Sequence, residues 1–111
     1  MDIQEERKDG FLILCLEGRL DAVSSKTLEE KILAVIAGGD TRFVVDLSRL
    51  DYVSSAGLRV FLLASKRLTP AGGKVVLCSL QEPVREVFEI VGFFSILSIV
   101  NSKDEALKSF R

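Results

Sequence analysis

The chain has no histidine and only two cysteines among its 111 residues. Without histidine there is no Ser-His-Asp or Cys-His nucleophile, no His-containing zinc site and no imidazole general base. The two cysteines, Cys15 and Cys78, sit inside the apolar runs FLILCLE and KVVLCSL, with neither CxxC nor metal-ligand spacing. They read as buried, reduced thiols acting as small hydrophobes, so no metal and no cofactor is expected. Long apolar stretches are also missing. None approaches the roughly 18 residues of a membrane span, and the start, MDIQEERKDG, is too polar for a secretory signal. A formal net charge of −1, with the charges scattered, gives no footprint for nucleic acid or an anionic membrane. Repeats, low-complexity tracts and linkers are absent as well. What is present is 48% hydrophobic residues, enough for a core without staples. The expectation is one cytoplasmic domain over 1–111. It is expected to be monomeric, because no long apolar surface face is visible beyond the helix stripes.

The periodicity of the chain changes repeatedly. Ile3 to Arg7 reads as an edge strand, with a turn at Lys8-Asp9-Gly10. Phe11 to Glu17 is a nearly continuous apolar run, as for a strand covered on both faces, ended by Gly18. From Ser24 the spacing of Leu28, Ile32, Val35 and Ile36 marks one face of a helix, with Ser24 or Ser25 as cap and Gly38-Gly39 as stop. Arg42 to Leu47 is a short buried strand. Leu58, Phe61, Leu62, Ser65 and Leu68 then mark a helix stopped at Thr69-Pro70-Ala71-Gly72-Gly73. Lys74 to Cys78 is a third covered strand. Glu82 to Val91 is a helix with Pro83 in its first turn and Gly92 as stop. Ile96 to Val100 is a last strand, and Ser102 to Phe110 a terminal helix packing through Ala106, Leu107 and Phe110. The order ββαβαβαβα predicts an α/β fold with a mainly parallel mixed sheet and an antiparallel N-terminal edge strand. In such sheets function gathers at the carboxyl ends of the strands.

One of those ends is DLSRLDYVSSAGLRVFLLASKRL, Asp46 to Leu68, where two serines stand at a strand-to-helix joint. A nucleophile elbow needs Gly two residues before the serine, and Val53 is there. The Ala71-Gly72-Gly73-Lys74 stretch lacks P-loop spacing and is followed by Val75, so it reads as a helix-to-strand turn. A Ser-Lys dyad with Lys66 or Lys74 has no local support. The simplest role for Ser54 or Ser55 is an N-cap, worth about 1 kcal/mol. A second role is a phosphorylation switch. A phosphate there meets unpaired backbone N–H groups and the positive end of the helix dipole. It would add about −1.5 to −2 charge beside Leu50, Tyr52 and Val53, opposing partner docking on an apolar rim.

The run VVDLSRLDYVSSAGLRVFL resembles the signature of the STAS domain family, specifically the bacterial anti-sigma-factor antagonists. LEGRLDAVSS resembles the Gly-x-Leu-Asp segment closing that family's second strand, and GGKVVLCSLQEPVREVFEIVGF its third βα unit. The likeness spans essentially the whole chain. It implies a switch protein and not an enzyme. Unphosphorylated, such an antagonist binds an anti-sigma factor that is also a serine kinase and so frees the sigma factor. The kinase phosphorylates the motif serine, the pair separates, and a serine phosphatase reverses the step. By position the phosphoacceptor is Ser55, two before the motif Gly57. Ser54 stands where many relatives carry Asp, so a second hydroxyl adjoins the acceptor, and Ala56 stands where several carry a second Ser.

The implied partner surface comprises Asp21, Tyr52, Val53, Ser54, Ser55, Ala56, Gly57 and Arg59. Asp21 is equally well read as the cap of the following helix. Asp46, placed at the end of the third strand, is expected to bond its own turn backbone. Gly57, costly in a helix, suggests close approach by a partner backbone. Leu58, Phe61 and Leu62 are expected to face the core, and Arg59 and Arg67 solvent, with Arg enriched at interfaces. Two other readings share the fold: a STAS scaffold or sensor module of a larger assembly, and a small-ligand or nucleotide-binding STAS domain.

Overall fold

The computed structural model describes residues 1–110; the last residue of the expected domain, Arg111, lies outside them. The elements follow the expected order: β1 (Asp2–Lys8), β2 (Phe11–Leu20), α1 (Ala22–Ala37), β3 (Arg42–Val53), α2 (Ser55–Leu68), β4 (Lys74–Cys78), α3 (Glu82–Ile90), β5 (Ser98–Val100) and α4 (Lys103–Lys108). The five strands form one sheet in the order β1-β2-β3-β4-β5. β1 is antiparallel to β2, and every other pair is parallel.

Alternation along the covered strands sends side chains to two cores. Leu12, Leu14 and Leu16 of β2, with Phe43, Val45 and Leu47 of β3, face α1, α2 and α3 in the larger cluster. Leu28 and Ile32 of α1, Phe61 and Ala64 of α2, and Phe88 of α3 complete it. Leu58 and Phe61 are buried as expected, and Leu62 packs half-buried at the margin. On the opposite face Ile13, Val44, Val76 and Cys78 lie under Ala106 of α4.

Several boundaries differ from the sequence reading, each for a local reason. Gly18 does not end β2, which continues to Leu20. Its φ of +108° is open to glycine, and the pairing with β3 shifts register on either side of it. The strand bulges and carries on. β3 likewise runs past Leu47 to Val53, because residues 49–53 pair with the end of β2. Asp46 is therefore inside the strand and not at its end. Helix α1 starts at Ala22, and its cap is Asp21 rather than Ser24 or Ser25. β5 is shorter than expected, because Phe93–Ser95 form a 3₁₀ turn before it. α4 starts after its cap Ser102 and ends at Lys108.

Candidate functional site

Two strand ends that pair side by side build the site. Arg19 pairs with Tyr52 and Leu20 with Val53. The next residue of each strand, Asp21 and Ser54, caps a helix. The bulge at Gly18 thus sets the two helix N-termini beside each other. The Ser54 amide donates to the Leu20 carbonyl at 2.9 Å, tying the two exits together.

Each cap is specific. The Asp21 carboxylate accepts from the Ser24 amide at 2.9 Å while the Ser24 hydroxyl accepts from the Asp21 amide at 2.9 Å, a reciprocal capping box. The Ser24 amide and hydroxyl together hold the Asp21 carboxyl below the usual carboxylate range. The Ser54 hydroxyl accepts from the Gly57 amide at 3.1 Å, and the Ser54 carbonyl accepts from Leu58 at 3.0 Å. Ser55 occupies the first helical position and is exposed, and its hydroxyl has no partner among the described residues. The adjacent serines therefore differ: one hydroxyl is spent as a cap and the other is free. The amides of Ser55 and Ala56 are the remaining unpaired donors of this end of the helix.

The apolar rim expected around the serines is corrected. Leu50 at 0% and Val53 at 5% exposure belong to the core, because residues 49–53 are strand. Tyr52 alone reaches the surface, at 39% exposure, with the Arg19 guanidinium 4.1 Å from its ring centre. Gly57 is buried, and its smallness has an intramolecular cause. A Cβ there would stand 2.7 Å from Leu20 Cδ2, 2.8 Å from Leu20 Cγ and 3.0 Å from Val53 Cγ2. No partner backbone is needed to explain it. Arg59, one turn beyond Ser55, is exposed.

The joint brings together Asp21, Tyr52, Val53, Ser54, Ser55, Ala56 and Gly57. Asp46 stands apart, inside β3, where its carboxylate accepts from the Ser48 amide at 2.9 Å just where the pairing slips. Its other oxygen accepts from Cys15 Sγ at 3.8 Å. Partial burial, reinforced by Asp46, raises the Cys15 thiol, and burial pushes Cys78 up to about 11. Cys78 is buried as expected, while Cys15 is only half-buried. Sequence reasoning missed Leu20 as the wall against Gly57 and Arg19 as the cover of Tyr52; the strand pairing that creates both contacts was hidden by the assumption that Gly18 ends β2. Among the described residues no cluster of three His, Cys, Asp or Glu could hold a metal, and no helix is long and apolar enough to cross a membrane.

The comparisons with known proteins agree with this architecture. The STAS domain profile matches residues 2–106. An anti-sigma factor antagonist assigned as BtrV in Bordetella bronchiseptica is 46% identical over 111 residues, which is all of this chain and 96% of that one. The anti-sigma F factor antagonist of Paenibacillus polymyxa is 29% identical over 96% of this chain and 92% of its own. Among solved structures, the Bacillus anti-sigma factor antagonist SpoIIAA superposes with a TM-score of 0.85 in its unphosphorylated form, at 24% identity over 99% of this chain and 96% of SpoIIAA. Its phosphorylated form gives 0.77, at 23% identity over 99% and 100% of the two chains. With the profile spanning nearly every described residue, the chain belongs to the STAS domain family.

Proposed function

We propose that this chain is an anti-sigma factor antagonist whose binding is gated at Ser55. Unphosphorylated, it binds an anti-sigma factor that is also a serine kinase, and the sigma factor is released. Transfer of the γ-phosphoryl group of ATP to Ser55 Oγ, with ADP leaving and the hydroxyl proton lost to a base of the kinase, ends the complex. A serine phosphatase restores the free hydroxyl. In this reading the chain is a substrate of enzymes and works in the cytoplasm, where sigma factors act.

The observation that carries the reading is the division of labour between the serines. Ser54 is held as the cap, whereas Ser55 presents a free, exposed hydroxyl beside two unpaired amides. A phosphate on Ser55 would be favoured by those donors and by the helix dipole. It would also place about −1.5 to −2 charge in the middle of the candidate surface. The antagonist names of the relatives, and SpoIIAA having both an unphosphorylated and a phosphorylated form, support it.

The test combines the purified protein, ATP and the serine-kinase anti-sigma factors of its own genome, read by intact mass and fragmentation. The expected result is one phosphate on Ser55 and loss of co-elution with the kinase. Ser55→Ala is expected to co-elute permanently, and Ser55→Asp to bind weakly. Tight binding by Ser55→Asp, or no phosphate from any candidate, would overturn the reading.

A further inference from the structure

Helices α1 and α2 lie side by side on one face of the sheet and leave a groove of about 730 Å³ between their outer surfaces. Its walls are largely apolar, with Ala22 of α1 and Ala56, Val60 and Leu63 of α2. Ser25 of α1 also lines the groove, at 2% exposure, with its hydroxyl oxygen sealed beneath the surface and without a hydrogen-bond partner among the described residues. A buried hydroxyl left unmatched is costly. The rim is cationic although the chain as a whole carries −1. Lys26, Arg59 and Lys66 line the groove against a single carboxylate, Glu29. None of the three cations joins an ion pair among the described residues.

We propose that the α1–α2 groove receives an acidic amphipathic helix of the binding partner. The proposal rests on the reading of the chain as a partner-binding switch, and it names the chemistry the partner brings. The walls are helices, whose backbone groups are already paired, so an occupant finds no main-chain partners there. A helix satisfies its own backbone and so suits such walls, whereas an extended segment would leave its backbone groups to water. From Ala56 to Lys66 the groove follows about 15 Å of α2, the length of about three helical turns. An apolar stripe covers the walls, and carboxylates meet Lys26, Arg59 and Lys66. The arrangement also couples the groove to the switch. Arg59 follows Ser55 by four residues, so a phosphate on Ser55 draws the Arg59 guanidinium across one turn and repels acidic side chains entering beside Ala56.

The first experiment uses a designed probe, so that it does not depend on finding the kinase. A labelled peptide of about sixteen residues carries Leu at i, i+3, i+4 and i+7 spacing and Glu elsewhere; a control carries Lys in place of Glu. The expected result is saturable binding of the acidic peptide, weakened by salt, with amide shifts confined to residues 22–29 and 56–66. Lys66→Glu, at an exposed site, is expected to weaken it by about tenfold, as a rim attraction becomes a repulsion. No saturable binding, equal binding of the lysine peptide, or indifference to Lys66→Glu would overturn the proposal. Self-association of the protein that Lys66→Glu abolishes, without peptide binding, would also overturn it by giving the groove to a second copy. The anti-sigma factor supplies the second readout. If it binds the wild type and a Lys26→Glu, Lys66→Glu variant equally, the groove proposal fails and the antagonist reading stands. If it binds neither while the acidic peptide binds, the antagonist reading fails and the groove stands.

Discussion

At the scale of single residues, the serine pair divides a capping hydroxyl from an unpartnered one. The Ser54 hydroxyl satisfies the Gly57 amide, so Ser54→Ala is expected to lower stability by about 1 kcal/mol, the usual loss for an N-cap. Ser55 has no such bond, and Ser55→Ala is expected to change stability by less than about 0.5 kcal/mol, as for an ordinary surface site. Urea unfolding midpoints check both, and equal losses would refute the assignment. Gly57 gives a second case. Alanine is worth up to about 1 kcal/mol over glycine in a helix, but a Cβ here meets Leu20 Cγ at 2.8 Å, next to the backbone and slow to yield. Overpacking of that kind costs about 1–3 kcal/mol. Gly57→Ala is therefore expected to be net destabilising, with Leu20→Ala partly relieving it in the double variant. The proposed phosphoacceptor, Ser55, was legible in the sequence only as a motif position, with Ser54 beside it as a rival. Which hydroxyl serves as cap depends on the backbone at the exit of β3, and no residue pattern encodes that.

At the scale of elements, periodicity placed every strand and helix, and the errors fell at their ends. Residues 48–53 of β3 show burial at Leu50 and Val53, a spacing of three that matches neither alternation nor a continuous apolar run. The strand persists there because β2 passes its bulge and, after a shift of register, stays paired with β3 to Leu20, a tertiary cause invisible to a local window. At the start of α1 the sequence offers Ser24 or Ser25 and also Asp21 as the cap; Asp21 takes that place, and Ser24 is the third helical residue and its reciprocal partner. This box has a pH signature. The Asp21 carboxyl lies below its ordinary value of 3.8 when folded. Near and below pH 4 the unfolded chain binds the proton more readily, so the contribution of Asp21 is present above that pH and lost as pH falls through the folded value. Asp21→Asn keeps an acceptor for the Ser24 amide without titrating. Its stability is expected to fall less steeply than that of the wild type between about pH 4.5 and 2.5, as measured by urea unfolding across that range. Parallel slopes would show that the box does not discriminate between the charged and neutral forms.

At the scale of the whole molecule, the two faces of the sheet are unequally covered. Three helices bury one face, while the other rests under the six residues of α4 and the chain just beyond it. That lesser cover is held by few contacts. Ala106 is buried, Phe110 packs edge-on against Phe11 with ring centres 5.0 Å apart, and Lys74 Nζ donates to the Ser109 carbonyl at 3.3 Å. Regions held by so little buried surface open locally without global unfolding. Cys78 lies beneath them at 0% exposure, its thiol donating to the Val45 carbonyl at 3.7 Å. With burial pushing its pKa up to about 11, the thiol is overwhelmingly protonated at pH 8. Alkylation must then wait for α4 to lift, which exposes the sulfur and restores its acidity together. Cys15, half-buried at the margin of the same cluster, is expected to react first. Phe110→Ala removes about 1.5 kcal/mol of burial from the docked state. It should accelerate Cys78 alkylation by about tenfold, the rate gain that such a loss implies if opening is local. Peptide mass mapping of iodoacetamide adducts resolves the two sites, and urea unfolding supplies the global stability for comparison. A Cys78 rate that follows global unfolding in both proteins would mean that the two faces of the sheet come apart as one unit, with α4 as firmly built into the fold as the helices opposite it.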